Sequence, residues 1–377
     1  MRILISPLNW GFGHAGRMIP LALELKKRGN EIIFGAEPSL VPLLEKEMPG
    51  IKIISVPGLR IRYSRLLPQW LSIILQIPHI IAVSFREHNL LKHLARELSP
   101  DVIISDNRFG FFHKSIRSVY VTHMLRIPFP KPFRFMECAG TAVHRKIISM
   151  FDLCLVPDYP EEINLSGRLS HGVRLPLNTV FMGPLSRFGH SVEPAGPGAS
   201  AESAAPAEPY CCLILSGPEP QRSMLAEKVV ASLPGTSIRI LTGTSLDIDP
   251  DSRRVMVITS PDTVTMREVI TGSSAIIGRS GYTTVMELVS LRRSAVIIPT
   301  PGQTEQEYLG EYLHGNHGFV SLRQNDTGKL AGIMKSLDNI KVANLPDSAR
   351  LLENAIGQLL KKQVKGGGHD PCANKEP

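Results

Sequence analysis

The sequence predicts an α/β protein of two doubly wound, Rossmann-like domains facing a central cleft, and three observations carry that expectation. Short apolar runs alternate with helix-like amphipathic stretches along the chain, the pattern of repeated βα units. Glycine-rich turns open a helix once in each half, at Gly11, Gly13 and Gly16 and again at Gly278 and Gly281. Between the halves lies GHSVEPAGPGASAESAAPAEP, a Pro/Gly/Ala/Ser stretch too small and polar to pack. The expected organisation is an N-terminal domain over 1–188, a linker over 189–209 and a C-terminal domain over 210–363. A disordered tail, VKGGGHDPCANKEP, follows at 364–377.

A chain of 377 residues is long enough for two such domains, each burying its own core. With 43% hydrophobic and 20% charged residues the composition is that of an ordinary globular protein. The formal net charge of +8 favours anionic lipid, nucleic acid or anionic substrates. Nucleic acid lacks support, because no aromatic stacking platform or clustered basic helix accompanies the charge. The five cysteines, Cys138, Cys154, Cys211, Cys212 and Cys372, form no metal-ligand spacing with a histidine pair. The chain starts directly on a strand, MRILISPL, so reduced thiols and a cytoplasmic protein are expected.

In the first half, residues 2–6 form a strand, a helix is expected over about 18–28, and 31–34 form the next strand. The G-x-G-x-x-G spacing between them is weak evidence for a dinucleotide. It contains His14, placed in the turn at the carboxyl end of the first strand, where open α/β sheets hold ligands. An imidazole there can take a proton near neutral pH or simply sit on the surface. Strands over 101–105 and 119–122 end at Asp106 and His123, and both ends open onto the same crevice if the sheet is parallel. Asp106 is then a candidate for orienting a base and His123 a candidate acceptor contact, the alternative for each being a turn cap.

Residues 59–96 are the unusual part of this half. LLPQWLSIILQIPHIIAVSF is about as long as a membrane span, but Pro68, Gln69, Gln76, Pro78 and His79 interrupt it. Arg60, Arg62 and Arg65 precede it and Arg86, Lys92 and Arg96 follow. Two readings stand equal: a helix lying on an anionic membrane surface, or a core helix pair with solvated ends.

The second half is organised around 273–309, SSAIIGRSGYTTVMELVSLRRSAVIIPTPGQTEQEYL. A strand, a glycine turn and a helix follow one another, so free N–H groups at the helix start face a crevice beside the hydroxyls of Ser280, Thr283 and Thr284. Such a cradle suits a phosphate. Glu287, about one helical turn further, is placed to accept from a ribose diol. The polar loop 303–307 offers amides and carboxylates to sugar hydroxyls. The plainer reading is a common strand-turn-helix unit with a solvated glutamate and an ordinary polar loop.

The order of these residues resembles a known family. GRSGYTTVMEL and IIPTPGQTEQEYL are similar to the C-terminal domain of the GT-B glycosyltransferases that include the bacterial N-acetylglucosaminyl transferase making lipid II and the plant galactolipid synthases. GFGHAGRMIPLALEL resembles their N-terminal glycine-histidine motif, with Gly13, His14 and Gly16 at matching positions and the histidine at the reaction centre. The resemblance implies donor-phosphate contacts at Ser280, Gly281 and Thr284, ribose binding at Glu287, and sugar contacts at Gln306 and Glu307. The loop with Ser216 and Gly217 resembles the second phosphate-side loop, and Asp262 and Thr263 lie where the family places the nucleotide base. Thr304, Glu305 and Glu307 stand where the lipid II enzymes have aspartate, arginine and glutamine, and MLRIPFPKPFRF departs from their acceptor loop.

The activity so implied is inverting transfer of N-acetylglucosamine or another hexose from a UDP-sugar to a lipid-linked or cell-envelope glycan. His14 takes the acceptor proton with Asp106 behind it. No carboxylate pair or DxD-like cluster marks a metal site, and no cofactor is expected beyond the UDP-sugar substrate. The family also docks on membrane through the part matching 59–96, which places the protein in the cytoplasm or at the inner face of the cell membrane. Two rivals are a nucleotide-sugar 2-epimerase of similar layout and a non-catalytic sugar-nucleotide-binding protein.

Overall fold

The structure, a computed structural model, describes residues 1–8, 12–59, 69–189, 208–246, 254–337, 340, 342 and 345–361. Gly11, Arg60, Arg62, Arg65, Cys372, most of the expected linker and the whole expected tail lie outside the described residues.

The first half runs β1 (Arg2–Pro7), α1 (Phe12–Lys27), β2 (Glu31–Ala36), α2 (Val41–Glu47), β3 (Lys52–Ser55), α3 (Gln69–Leu75), α4 (Ile77–Leu98), β4 (Val102–Asp106), β5 (Arg117–Val121), α5 (Glu137–Ile148), β6 (Leu153–Val156) and β7 (Thr179–Phe181). Its strands are all parallel, in the order β3-β2-β1-β4-β5-β6-β7. Ile3, Leu4, Ile5, Ile103 and Ile104 are fully buried, as expected of strands covered on both faces. The strand order reverses between β1 and β4, where Pro7 pairs with Asp106. That switch point opens a crevice at the carboxyl ends of both strands.

The second half runs β8 (Tyr210–Leu215), α6 (Gln221–Ser232), β9 (Ser237–Thr242), β10 (Val255–Thr259), α7 (Thr263–Thr271), β11 (Ala275–Gly278), α8 (Tyr282–Ser290), β12 (Ala295–Ile297), α9 (Thr304–Leu313), β13 (Phe319–Ser321), α10 (Leu330–Met334) and α11 (Ala349–Leu360). This parallel sheet has the order β10-β9-β8-β11-β12-β13, with its own switch point between β8 and β11. Gly278 pairs with Ile214 there, which sets the turn after β11 beside Ser216 and Gly217. The fold is thus two Rossmann-like α/β units, as the sequence predicts.

Three features depart from the sequence reading. Helix α1 begins at Phe12, so Gly13, His14 and Gly16 are helical. Room is tight at 13 and 16: an added Cβ would stand 3.2 Å from Thr283 Oγ1 and 3.2 Å from Arg187 Nε, respectively, so either side chain would have to give by a few tenths of an ångström. Residues 304–307 are the first turn of α9, with Gln303 as N-cap accepting from the Gln306 N–H, and Glu305 and Glu307 suit the positive end of the helix dipole. Last, α11 lies within 210–363 yet buries Ala355, Ile356 and Leu359 in the core of the first sheet, alongside Met18, Leu21 and Leu25. Arg117 Nε donates to Leu359 O at 3.0 Å, and Arg28 pairs with Glu353.

Helix α4 divides by partner. Leu91, Leu94, Ala95 and Leu98 are buried against the first sheet, whereas Ile77, Ile81 and Phe85, with Ile74 and Leu75 of α3, are exposed. No described helix is long and apolar enough to cross a membrane.

Candidate active site in the interdomain cleft

The two crevices face one another, and the groups that approach most closely come from both halves. Asp106 ends β4 and is fully buried; His14 stands in the first turn of α1 with Nδ1 3.0 Å from Asp106 Oδ2. Arg17, three residues on and so on the same helix face, is 1% exposed. Its Nε donates to Asp106 Oδ2 at 3.1 Å and its Nη2 to Oδ1. Nη2 also lies 3.0 Å from His14 Nδ1, and Nη1 3.1 Å from His123 Nδ1. Across the cleft, His123 Nε2 is 2.8 Å from Glu305 Oε1 in α9. The His123 ring stacks on Tyr282 of α8, with centroids 4.2 Å apart and planes within 1° of parallel.

The electrostatics follow from this packing. Burial draws the His14 pKa below its ordinary value, Asp106 opposes that, and Arg17 adds to it. Burial also works against ionisation of Asp106, but Arg17 and then His14 more than offset it and hold the carboxyl below the usual range. For Glu305 the same opposition holds, with His123 the largest group keeping the carboxylate ionised. His14 is therefore neutral near pH 7 and backed by a carboxylate. Among the described residues nothing bonds its Nε2, so the imidazole presents a base to the cleft.

Opposite the base stands the N-terminus of α8. Gly281 is its N-cap in extended backbone, and no side chain caps the helix, which leaves its first N–H groups for a ligand. Thr283 Oγ1 donates to Gly13 O at 3.3 Å and ties the two helix starts together. Ser280 Oγ donates to Gln306 O at 2.8 Å, holding the turn against α9. Behind the turn Arg279 is fully buried, donating to the carbonyls of Ile298 and Pro299 at 3.3 Å each and of Gln221 at 2.6 Å. Burial pulls its pKa down to about 9.

Of the residues expected from sequence, Gly13, His14, His123 and Ser216 line one cleft. Gly217, Gly281, Thr284 and Gln306, which with Ser216 belong to the second half, line it too. Glu287 lines an adjoining recess with Ser260 and Pro261, and its Oε1 accepts from Arg187 Nε at 2.9 Å. Gly16 faces that arginine. The Gln306 amide oxygen accepts from Thr300 N at 2.9 Å.

Asp106 and Ser280, both fully buried, and Gly16 stand behind the cleft lining, and Asp262, Thr263 and Glu307 stand apart from it. Asp262 caps α7 by accepting from Thr265 N at 2.8 Å. Thr263 donates through N and Oγ1 to Glu47 of the first half, at 2.6 and 2.7 Å. Glu307 is exposed and accepts from Gly302 N at 2.7 Å. Among the described residues no group of three His, Cys, Asp or Glu side chains is arranged to hold a metal ion.

The sequence does not single out Arg17, Arg187, Tyr282 and Arg279 as site residues, and it offers Glu305 only as part of the 303–307 polar loop and as a departure from the family pattern. Arg17 had a signal in its position three residues after His14, which becomes informative once the helix is known to start at Phe12. Arg187 and Glu305 had none, since their partners lie 100 and 182 residues away.

Comparison with known proteins bears on this arrangement. Residues 225–356 match the glycosyltransferase family 28 C-terminal domain. The match thus lies in the second half, and the two-unit fold is that of GT-B glycosyltransferase structures. An uncharacterized glycosyltransferase of Methanosarcina acetivorans is 25% identical over 337 residues, covering 81% of this chain and 82% of the relative. Among solved structures, the spinosyn rhamnosyltransferase SpnG complexed with thymidine diphosphate superposes with a TM-score of 0.58 at 15% identity, over 95% of this chain and 96% of that one. A candidate UDP-N-acetylglucosamine 2-epimerase from Listeria monocytogenes superposes at 0.57 and 14% identity, over 93% of each chain. The family 28 domain contains the α8 turn, Glu287 and Gln306, while His14, Asp106 and His123 belong to the other half of the GT-B fold.

Proposed function

We propose that the protein is an inverting, metal-independent glycosyltransferase that moves N-acetylglucosamine or another hexose from a UDP-sugar to a lipid-linked or cell-envelope glycan. The observation carrying this reading is the meeting of two helix starts, α1 bearing His14 against Asp106 of β4 and α8 with its uncapped N–H groups, joined where Thr283 reaches Gly13 O at 3.3 Å.

In the proposed step the acceptor hydroxyl attacks the anomeric carbon while His14 Nε2 takes its proton. The bond from that carbon to the diphosphate oxygen breaks, and its electron pair leaves with the nucleoside diphosphate. A single displacement of this kind inverts the anomeric centre. The α8 N-terminus, Gly281, the Thr284 hydroxyl and the Ser216–Gly217 loop meet the charge of the leaving group, with the Arg279 cation behind the turn and Ser280 fixing its shape. Glu287 binds the ribose, Gln306 reads the sugar while Glu307 fixes the Gly302 turn beside it, and the loop carrying Asp262 and Thr263 borders the base. The first half is the acceptor side, with Gly13 and Gly16 keeping α1 close and His123 contacting the acceptor.

The exposed apolar faces of α3 and α4, with Arg86, Lys92 and Arg96 on α4, support our reading of a cytoplasmic enzyme in peripheral contact with the anionic inner face of the cell membrane. SpnG, complexed with thymidine diphosphate, supports a nucleoside diphosphate as the donor part in this fold. The similarity to an epimerase fold favours one rival, which isomerises a UDP-sugar without acceptor and is separated by mass spectrometry of such a mixture.

Calorimetric titration with UDP and UDP-N-acetylglucosamine in EDTA tests the donor site. Binding that Glu287→Ala weakens supports the reading; no binding of any uridine nucleotide overturns it.

A further inference from the structure

The cleft contains two histidines, and one buried arginine touches both. Arg17 Nη1 lies 3.1 Å from His123 Nδ1. A guanidinium has five N–H donors and no acceptor, so His123 Nδ1 must supply a lone pair. The proton of a neutral His123 then sits on Nε2, which is the nitrogen 2.8 Å from Glu305 Oε1, an ionised acceptor. Every hydrogen-bonding nitrogen of this ring therefore has a complementary partner in one tautomer only.

For His14 the logic runs in the opposite direction. Arg17 Nε and Nη2 hold both oxygens of Asp106, which keeps that group a carboxylate with acceptors alone. Asp106 Oδ2 stands 3.0 Å from His14 Nδ1, so Nδ1 carries the proton and Nε2 is bare. Arg17 Nη2, which already donates to Asp106 Oδ1, approaches the same Nδ1 at 3.0 Å; that contact alone would favour Nε2–H, and the ionised carboxylate outweighs it. The guanidinium charge discourages a second proton on the ring.

We propose that Arg17 is a positioning residue that imposes opposite tautomers on the two cleft histidines, Nδ1–H on His14 and Nε2–H on His123. One chain of bonds, Glu305–His123–Arg17–Asp106–His14, thereby runs from the α9 helix start to the base. The groups facing His14 are Arg17 from its own helix, Asp106 from β4, His123 from beyond β5 and, through His123, Glu305 from α9. The consequence for turnover rests on the transferase reading above; the tautomers do not.

The test is long-range ¹H–¹⁵N correlation spectroscopy of the full chain labelled at histidine, near pH 7.5 and without substrate, with H14Q and H123Q for assignment. The expected pattern is Nδ1–H for His14 and Nε2–H for His123. Nε2–H on His14 or Nδ1–H on His123 overturns the proposal. In Arg17→Lys a single ammonium cannot span Asp106 and His123 together, so the His123 signals should change to a mixed or titrating pattern. For that variant kcat is expected to fall on the order of 10²-fold, within a general base's contribution, with donor KM unchanged. Unchanged histidine signals in the lysine variant also overturn the proposal, and if that variant does not fold, the wild-type spectrum decides alone. Absence of turnover with every UDP-sugar would sink the transferase reading while leaving the tautomer result standing.

Discussion

His123 Nε2 and Glu305 Oε1 meet at 2.8 Å, joining the carboxyl end of β5 to the first turn of α9 across the cleft. Glu305→Ala would leave the imidazole N–H facing an apolar side chain. We expect a loss of about 1–3 kcal/mol in urea-unfolding free energy, the desolvation cost of a stranded donor. An unchanged midpoint would mean that water replaces the carboxylate without loss.

His14→Ala should lower kcat by about 10²–10⁴-fold and leave nucleotide affinity intact, since the base touches the acceptor proton. Because burial and Arg17 draw the His14 pKa below 6.5, the acid limb of the kcat profile should fall below pH 6.5, with a plateau above it. A limb centred at or above that value contradicts the assigned environment.

His144 gives a separate dependence of stability on pH. Burial among Phe109 and Tyr120 lowers its pKa to about 4. The unfolded chain binds a proton at about pH 6.5, so the neutral native ring contributes stability above that pH that is lost as pH falls towards 4. The span corresponds to about 3 kcal/mol at order of magnitude. Urea denaturation at pH 7.5 and pH 5 should show the loss, and His144→Phe should flatten it.

The Arg187–Glu287 pair is buried and links the two halves at 2.9 Å. Arg187→Met strands a carboxylate among Met266 and the α8 side chains, at a cost of about 3–5 kcal/mol. Differential scanning calorimetry reads it. A shift smaller than about 1 °C would mean that Glu287 reaches water once its partner is gone.

Gly183 lies at the junction of the halves with φ +74, and a Cβ there would come within 2.3 Å of Ser348 Cβ. Gly183→Ala should cost about 2–5 kcal/mol from left-handed strain and overlap together. Thermal unfolding at matched concentration checks it.

The strands were legible because parallel, doubly covered strands read as continuous apolar runs; β1, β4, β8 and β11 are such runs. The start of α1 was not, because glycines at 13 and 16 usually mark a turn, whereas here they admit Thr283 and Arg187 from elsewhere in the chain. His14 and Asp106 were legible as separate candidates, each at the end of a strand or in the turn beyond it. Their joining through Arg17 depends on helix phase, and the Glu305 contact on the approach of two sheets, neither of which local sequence encodes. Glu287 illustrates the same limit: its helix position was readable, its arginine was not.

Helix α11 returns to the first sheet and supplies Ala355, Ile356 and Leu359 to its core. Synthesis and folding must therefore proceed in different orders. As the ribosome releases the chain from the N-terminus, the first half emerges complete in strands yet keeps an open apolar trough beside α1, and only α11, made after the strands of the second half, can fill it. The domain begun first is the one sealed last, so a message truncated before residue 349 would yield a protein with an unhealed seam rather than a usable half.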